Sequence, residues 1–268
     1  MSATVRAHVR RDQRVLVASL FTHAGPRDAG PFLRHDYPRR RAEDEAACRL
    51  LGASVLHGGL PDAPFRAAAY RDLAGLCFAR QKRESADQRR ADTLVRQIVA
   101  AARPRRIYAP LGVGEHVDHR LTHNAARALG HGDVWYYEDR PYAFVRHAVA
   151  LRLETLGLGR FKTEWYDELA ESFQAAPMTA GLDPAVVHEV AMCFGLLHCG
   201  APRARKSPAR PFTRTFSAEA SRFAQKVFEC HRSQVQGIVG GPGRYAPLAR
   251  AYARQLKRAG YIERFWRI

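Results

Sequence analysis

Ile107-Tyr108-Ala109-Pro110-Leu111-Gly112-Val113-Gly114-Glu115-His116-Val117-Asp118-His119-Arg120 is the stretch on which the fold of this chain turns. Pro104 breaks the helical pattern before it, and a short apolar run then passes through Pro110 into a loop with two glycines. A strand is predicted over 106–109, ending in a loop that carries two histidines and a carboxylate. In open parallel sheets functional groups gather beyond the carboxyl ends of strands, and His116, Asp118 and His119 lie a few residues past such an end.

Upstream, Val15-Leu16-Val17-Ala18-Ser19-Leu20-Phe21 is apolar on both parities, which suits a strand covered on both faces of a parallel sheet. Residues 39–51 place Ala46, Ala47, Leu50 and Leu51 on one helical stripe, Gly52 supplies the stop, and 53–57 resume a strand. After Gly58-Gly59-Leu60-Pro61-Asp62, read as a loop, residues 86–102 bring Leu94, Ile98 and Ala101 round at helical spacing. Downstream, a helix over 122–129 leads to a fourth strand, Val134-Trp135-Tyr136-Tyr137. This alternation predicts an α/β fold: a Rossmann-like, mainly parallel sheet with right-handed crossovers. The second half reads as helical, over 184–197 and 217–235, with a Pro/Arg-rich surface joint at 201–211. Residues 1–268 read as one domain.

With 268 residues, 46% of them hydrophobic, the chain can bury a substantial core. A net charge of +17 would suit an acidic partner, but the arginines are scattered. They cluster only briefly, at Arg39-Arg40-Arg41 and from Arg203 to Arg210, with no aromatic ladder, so a basic polyanion-binding module is the weaker reading and no nucleic-acid partner is expected. No uncharged apolar run reaches the length of a membrane span and no apolar signal core follows the basic first residues, so a cytoplasmic protein is expected. The five cysteines, Cys48, Cys77, Cys193, Cys199 and Cys230, are odd in number and sit in apolar helical patterns, as buried, reduced thiols would.

Two imidazoles three residues apart can face one point if the segment opens a helix, and the carboxylate between them can orient one through a ring N–H. Other polar groupings carry less. Cys193, His198 and Cys199 lack the spacing of a zinc knuckle. Cys230 and His231, adjacent on a helix, point apart. Gly240, Gly241 and Gly243 lack the strand before and the Lys-Ser/Thr after that a phosphate-binding loop requires.

The histidine tract and its surroundings resemble the PIG-L/LmbE-like N-acetylglucosaminyl deacetylase family. Further similar elements are Val15 to Thr22, Arg40 with Glu43 and Leu51-Gly52, Leu60-Pro61-Asp62, Tyr137-Glu138-Asp139-Arg140-Pro141-Tyr142, His231-Arg232-Ser233-Gln234 and Glu263-Arg264-Phe265-Trp266. The resemblance implies a zinc-dependent hydrolase that removes an N-acetyl group from an aminosugar-containing small molecule or glycoconjugate. It makes His119 a zinc ligand, His116 a cationic or hydrogen-bonding stabiliser of the oxyanion, and Asp118 a catalytic residue that orients a histidine. Arg40 and Tyr142 become substrate-contacting candidates.

The family's His-Pro-Asp-Asp motif, which supplies two metal ligands and the general base, does not occur here, and its first strand is expected to be absent. His8 and Asp12 sit in a basic segment poorly placed to replace it. A catalytic zinc takes three protein ligands, so the expected metal site is incomplete, and a sugar-binding homologue without activity stands as the alternative.

Overall fold

The computed structural model describes residues 1–25, 36–79, 85–202 and 209–268. Several helices begin where a short polar side chain caps them. Asp36 accepts the Arg39 N–H at 3.0 Å and opens α2 (Tyr37–Leu51), which stops at Gly52 in the left-handed conformation. Ser85 likewise accepts the Gln88 N–H at 3.2 Å and opens α5 (Ala86–Ala102). In chain order the first half comprises α1 (Ser2–Val9), β1 (Leu16–His23), α2, β2 (Ser54–Pro61), α3 (Ala63–Arg66), α4 (Leu73–Phe78), α5, β3 (Ile107–Pro110), α6 (Val117–Arg127) and β4 (Val134–Tyr137). The second half adds α7 (Ala148–Thr155), α8 (Tyr166–Gln174), α9 (Pro184–Cys199), β5 (Pro211–Phe216), α10 (Ala218–Glu229), α11 (Arg232–Val239), α12 (Tyr245–Gln255) and β6 (Tyr261–Trp266).

Among the described residues the strands form two sheets. β1 and β2 pair in parallel, and a separate sheet has the order β3-β4-β6-β5. There β3 and β4 are parallel, while β6 runs antiparallel to both β4 and β5. One helical layer spans both sheets: α5 packs on α6 and reaches β1 and β2, and α6 lies against β3 and β4. On the other face α2 covers β1 and β2, and α1 packs on α2 and α10 while His8 Nε2 lies 3.0 Å from the Tyr108 hydroxyl of β3. The largest apolar cluster joins Leu111, Val113 and Tyr136 to Leu151, Leu169, Val190, Phe194, Ile262 and Trp266, so the second half packs directly beneath the loop after β3.

The α/β architecture follows the sequence reading, and β4 and α5 have the expected bounds. Four expectations are corrected. Strand β2 continues through Gly58 and Gly59 to Pro61, held to β1 with shifts of register. Helix α6 begins at Val117, so the histidine tract opens the helix. The helix expected over 217–235 is two helices with a break at Cys230-His231. The second half also contributes two strands. β6 escaped notice because Glu263 and Arg264 interrupt its apolar run, yet Glu263 is buried and accepts the Ala3 and Thr4 N–H groups that open α1. Of the joint at 201–211, residues 203–208 lie outside the described residues and Pro211 starts β5. All five cysteines are free, but Cys199 is exposed and Cys193 and Cys230 are only half-buried. No described helix is long and apolar enough to cross a membrane.

His123 of α6 is fully buried, its Nδ1 3.1 Å from the Pro110 carbonyl at the end of β3 and its ring centroid 4.5 Å from that of Tyr136. Burial pushes its pKa down to about 3, against roughly 6.5 for a free imidazole. Between these values the unfolded chain binds a proton that the folded chain refuses, so this stabilisation is present above the unfolded pKa and lost as pH falls through that window. His123→Gln is expected to remove about one proton from the acid dependence of stability. Thermal unfolding measured from pH 7 to pH 4 should give a flatter Tm profile for the variant, and parallel profiles would refute the assignment.

Candidate functional site

The loop between β3 and α6 is built by left-handed residues: Gly112 at φ 87°, Gly114 at φ 83° and Glu115 at φ 60°. A Cβ at Gly112 would stand 2.7 Å from the Arg152 guanidinium and one at Gly114 2.6 Å from the Tyr142 ring, so both positions require glycine. Asp139, just past β4, holds this loop. Its Oδ2 accepts the N–H groups of Gly112 and Val113 at 2.7 and 2.9 Å, and its Oδ1 lies 2.9 Å from His119 Nδ1. The carboxylate thus fixes the loop and directs the histidine together.

His116 caps α6, its Nδ1 accepting the Asp118 N–H at 3.2 Å. That bond leaves Nε2 as the protonated nitrogen of a neutral ring. Burial, with His119 adding to it, pushes the His116 pKa down to about 3. Burial thus favours the neutral, hydrogen-bonding form of His116 over a cation. For His119, burial pulls the pKa down, but the Asp139 carboxylate outweighs it and the net shift is upward. The two rings stand 5.3 Å apart between centroids, and Tyr142 meets His119 edge-on at 5.6 Å.

Asp118 lies on the second wall. Its carboxyl group meets Arg66 rather than a histidine, and the histidine-orienting role expected of it falls to Asp139. Arg66, 5% exposed, also donates to Asp87 Oδ2 at 3.0 Å and to the Pro61 carbonyl at 2.8 Å, which pins the end of β2 to the start of α6. Asp118 hydrogen-bonds to Asp62, and the pair divides its affinities. Burial, with Asp62 adding to it and Arg66 opposing, raises the Asp118 pKa to about 8. Burial of Asp62 is outweighed by the hydrogen bonds from Asp118, Tyr37 and the Ala63 N–H, and its pKa is lowered. Of the two acids, Asp118 is the one whose neutral form is favoured and Asp62 the one whose anion is favoured. The Tyr37 hydroxyl donates to Asp62 at 2.6 Å, and Arg40 Nη1 stands 3.6 Å from the same oxygen.

All five residues singled out in the sequence, Arg40, His116, Asp118, His119 and Tyr142, therefore belong to one connected cluster. Sequence reasoning gave no role to Asp62 or Asp139, although both lie in stretches it had marked, and it missed Tyr37, Arg66 and Arg152. A basic residue four positions after a loop aspartate is too common a pattern to have flagged Arg66. As for zinc, His119 presents a directed imidazole, yet among the described residues no three His, Cys, Asp or Glu side chains gather as a metal site. The residues present do not meet the three-ligand demand of a catalytic zinc.

The PIG-L family profile, described as GlcNAc-PI de-N-acetylase, matches residues 1–129. A 2'-N-acetylparomamine deacetylase from Streptomyces fradiae is 36% identical over 121 residues, 41% of this chain and 40% of that protein, so the match spans less than half the length of the relative. Among solved structures, the teicoplanin deacetylase Orf2 in a zinc-inhibited form is similar over 99% of this chain and 91% of its own, with a TM-score of 0.64 and 20% identity. The pseudoaglycone deacetylase Dbv21 is similar over 99% and 89%, with a TM-score of 0.60 and 18% identity. At these identities the likeness establishes a shared fold.

Arg66 offers a direct test of the second wall. Arg66→Met removes the donor that Asp118, Asp87 and the Pro61 carbonyl share, leaves their oxygens without it, and is expected to cost about 2–3 kcal/mol. Denaturant unfolding of the variant should show this loss, and a change below about 1 kcal/mol, the range of an exposed ion pair, would refute the buried pairing.

Proposed function

We propose that this chain, whose residues 1–129 match the PIG-L family profile, is an N-deacetylase, hydrolysing the N-acetyl group of an aminosugar-containing small molecule or glycoconjugate. The observation that carries the proposal is the pairing of a neutral, Nε2-protonated His116 with a His119 directed by Asp139, both at the carboxyl end of β3. Amide hydrolysis requires donors aimed where negative charge develops on the acyl oxygen, and His116 Nε2–H is such a donor, needing no protonation event beforehand. His119, with Nδ1 turned to Asp139, offers Nε2 to the reacting group and remains the ligand candidate for zinc. Asp118, protonated and tied to Asp62 and Arg66, acts by holding the α6 terminus in place rather than as a base. Arg40, beside Asp62, and Tyr142, edge-on to His119, are the candidates for holding the sugar and its aglycone.

The incomplete metal donor set supports a second reading, a homologue that binds an acylated aminosugar without hydrolysing it. Acetate release by the purified chain from N-acetylglucosamine and from 2'-N-acetylparomamine, with and without added zinc, separates the two. The first reading expects release from at least one of them, with His116→Ala lowering kcat about 10²–10³-fold, the usual loss for an oxyanion donor. Any weak zinc binding measured for the wild type is expected to fall further in His119→Ala. Binding of either sugar without any acetate release would install the second reading.

A further inference from the structure

We propose that Arg152 and Glu115 form a clamp that positions the histidine tract, a role that rests on the deacetylase reading above. Arg152 rises from α7 beneath the loop. Its Nε donates to the Leu111 carbonyl at 2.9 Å, and its Nη1 donates to both oxygens of Glu115 at 2.9 and 3.1 Å. A single planar guanidinium therefore spans the two ends of the left-handed turn, from the last residue before it to the last residue within it. Thr155, one turn further along α7, lies 3.3 Å from Glu115 Oε1 and fixes the same carboxylate from the side.

Three features make this a positioning device rather than a substrate contact. Glu115 and Arg152 are 4% and 6% exposed, and their charged groups are spent on each other and on the Leu111 carbonyl. Glu115 holds a positive φ of 60° without being glycine, a conformation that persists only where the surroundings dictate it. Its N–H also bonds to the Gly112 carbonyl at 3.1 Å, which closes the turn tightly. His116 follows at once, so the path of the Glu115 backbone decides where the His116 ring stands relative to His119. A buried ion pair is a poor way to gain stability compared with apolar packing, and its use here is accounted for by the geometry it imposes.

The test uses the full chain and four variants: Glu115→Gln, Arg152→Lys, Arg152→Met, and Arg152→Met combined with Glu115→Leu. The clamp expects each single variant to lower kcat for acetate release about tenfold or more with little change in KM, as small displacements of reacting groups do. Arg152→Lys should not rescue, because an ammonium cannot hold Leu111 and Glu115 at once. The apolar pair should recover the Tm lost in Arg152→Met but not kcat. Recovery of both would assign the ion pair to folding alone and overturn the clamp. A second readout does not depend on activity: in ¹⁵N-histidine spectra the His116 ring resonances should shift in Glu115→Gln, and unshifted rings would also overturn it. Shifted rings in a chain that releases no acetate would uphold the clamp while the deacetylase reading fails.

Discussion

One buried carboxylate organises the site. Asp139 receives two backbone N–H groups from the loop after β3 on one oxygen and faces His119 with the other. A buried carboxylate without donors would be costly, so the loop must present its N–H groups inward, which forces the left-handed path through Gly112 and Gly114. Once the loop takes that path, α6 can start only where it does, with His116 as its cap. Strand β4 enters the site through this interaction, because it delivers Asp139 two residues beyond its last paired residue.

The opposite wall solves a different electrostatic problem. Asp62 and Asp118 are acids in contact, and two ionised carboxylates could not share that space. Asp62 is paired with Tyr37 and Arg40, and Arg66 is set across Asp118 and Asp87. These surroundings push the affinities apart: the pKa of Asp118 is raised and that of Asp62 lowered, while that of His116 is lowered and that of His119 raised.

Local patterns made the first half of the fold legible. A both-parity apolar run marked β1, a left-handed stop at Gly52 closed α2, and Pro104 bounded α5. The His116-Val117-Asp118-His119 tract marked the site because its spacing is unusual. What could not be read depended on distant partners. Glu263 in the middle of β6 looks like a break until the start of α1 arrives to be capped by it, some 260 residues away in sequence. Arg66 and Arg152 are two among many arginines in a chain of net charge +17, and nothing local distinguishes a buried cation from a solvated one. The role first given to Asp118 moved to Asp139 for the same reason, since adjacency in sequence favoured the nearer carboxylate and folding supplied the other.

The division of the strands between two sheets has a mechanical consequence. Among the described residues no ladder of backbone hydrogen bonds runs between β1 and β3, yet the cluster draws Arg40 and Asp62 from one side and His116, His119 and Tyr142 from the other. The compliance of the site is therefore set by side chains, Arg66 foremost, and by the helices α5 and α6 laid over the divide. A sheet resists shear through every ladder bond, whereas a guanidinium bridge yields by rotation about its own bonds. The spacing between the two walls is thus held by side-chain bridges and helix packing rather than by a backbone ladder.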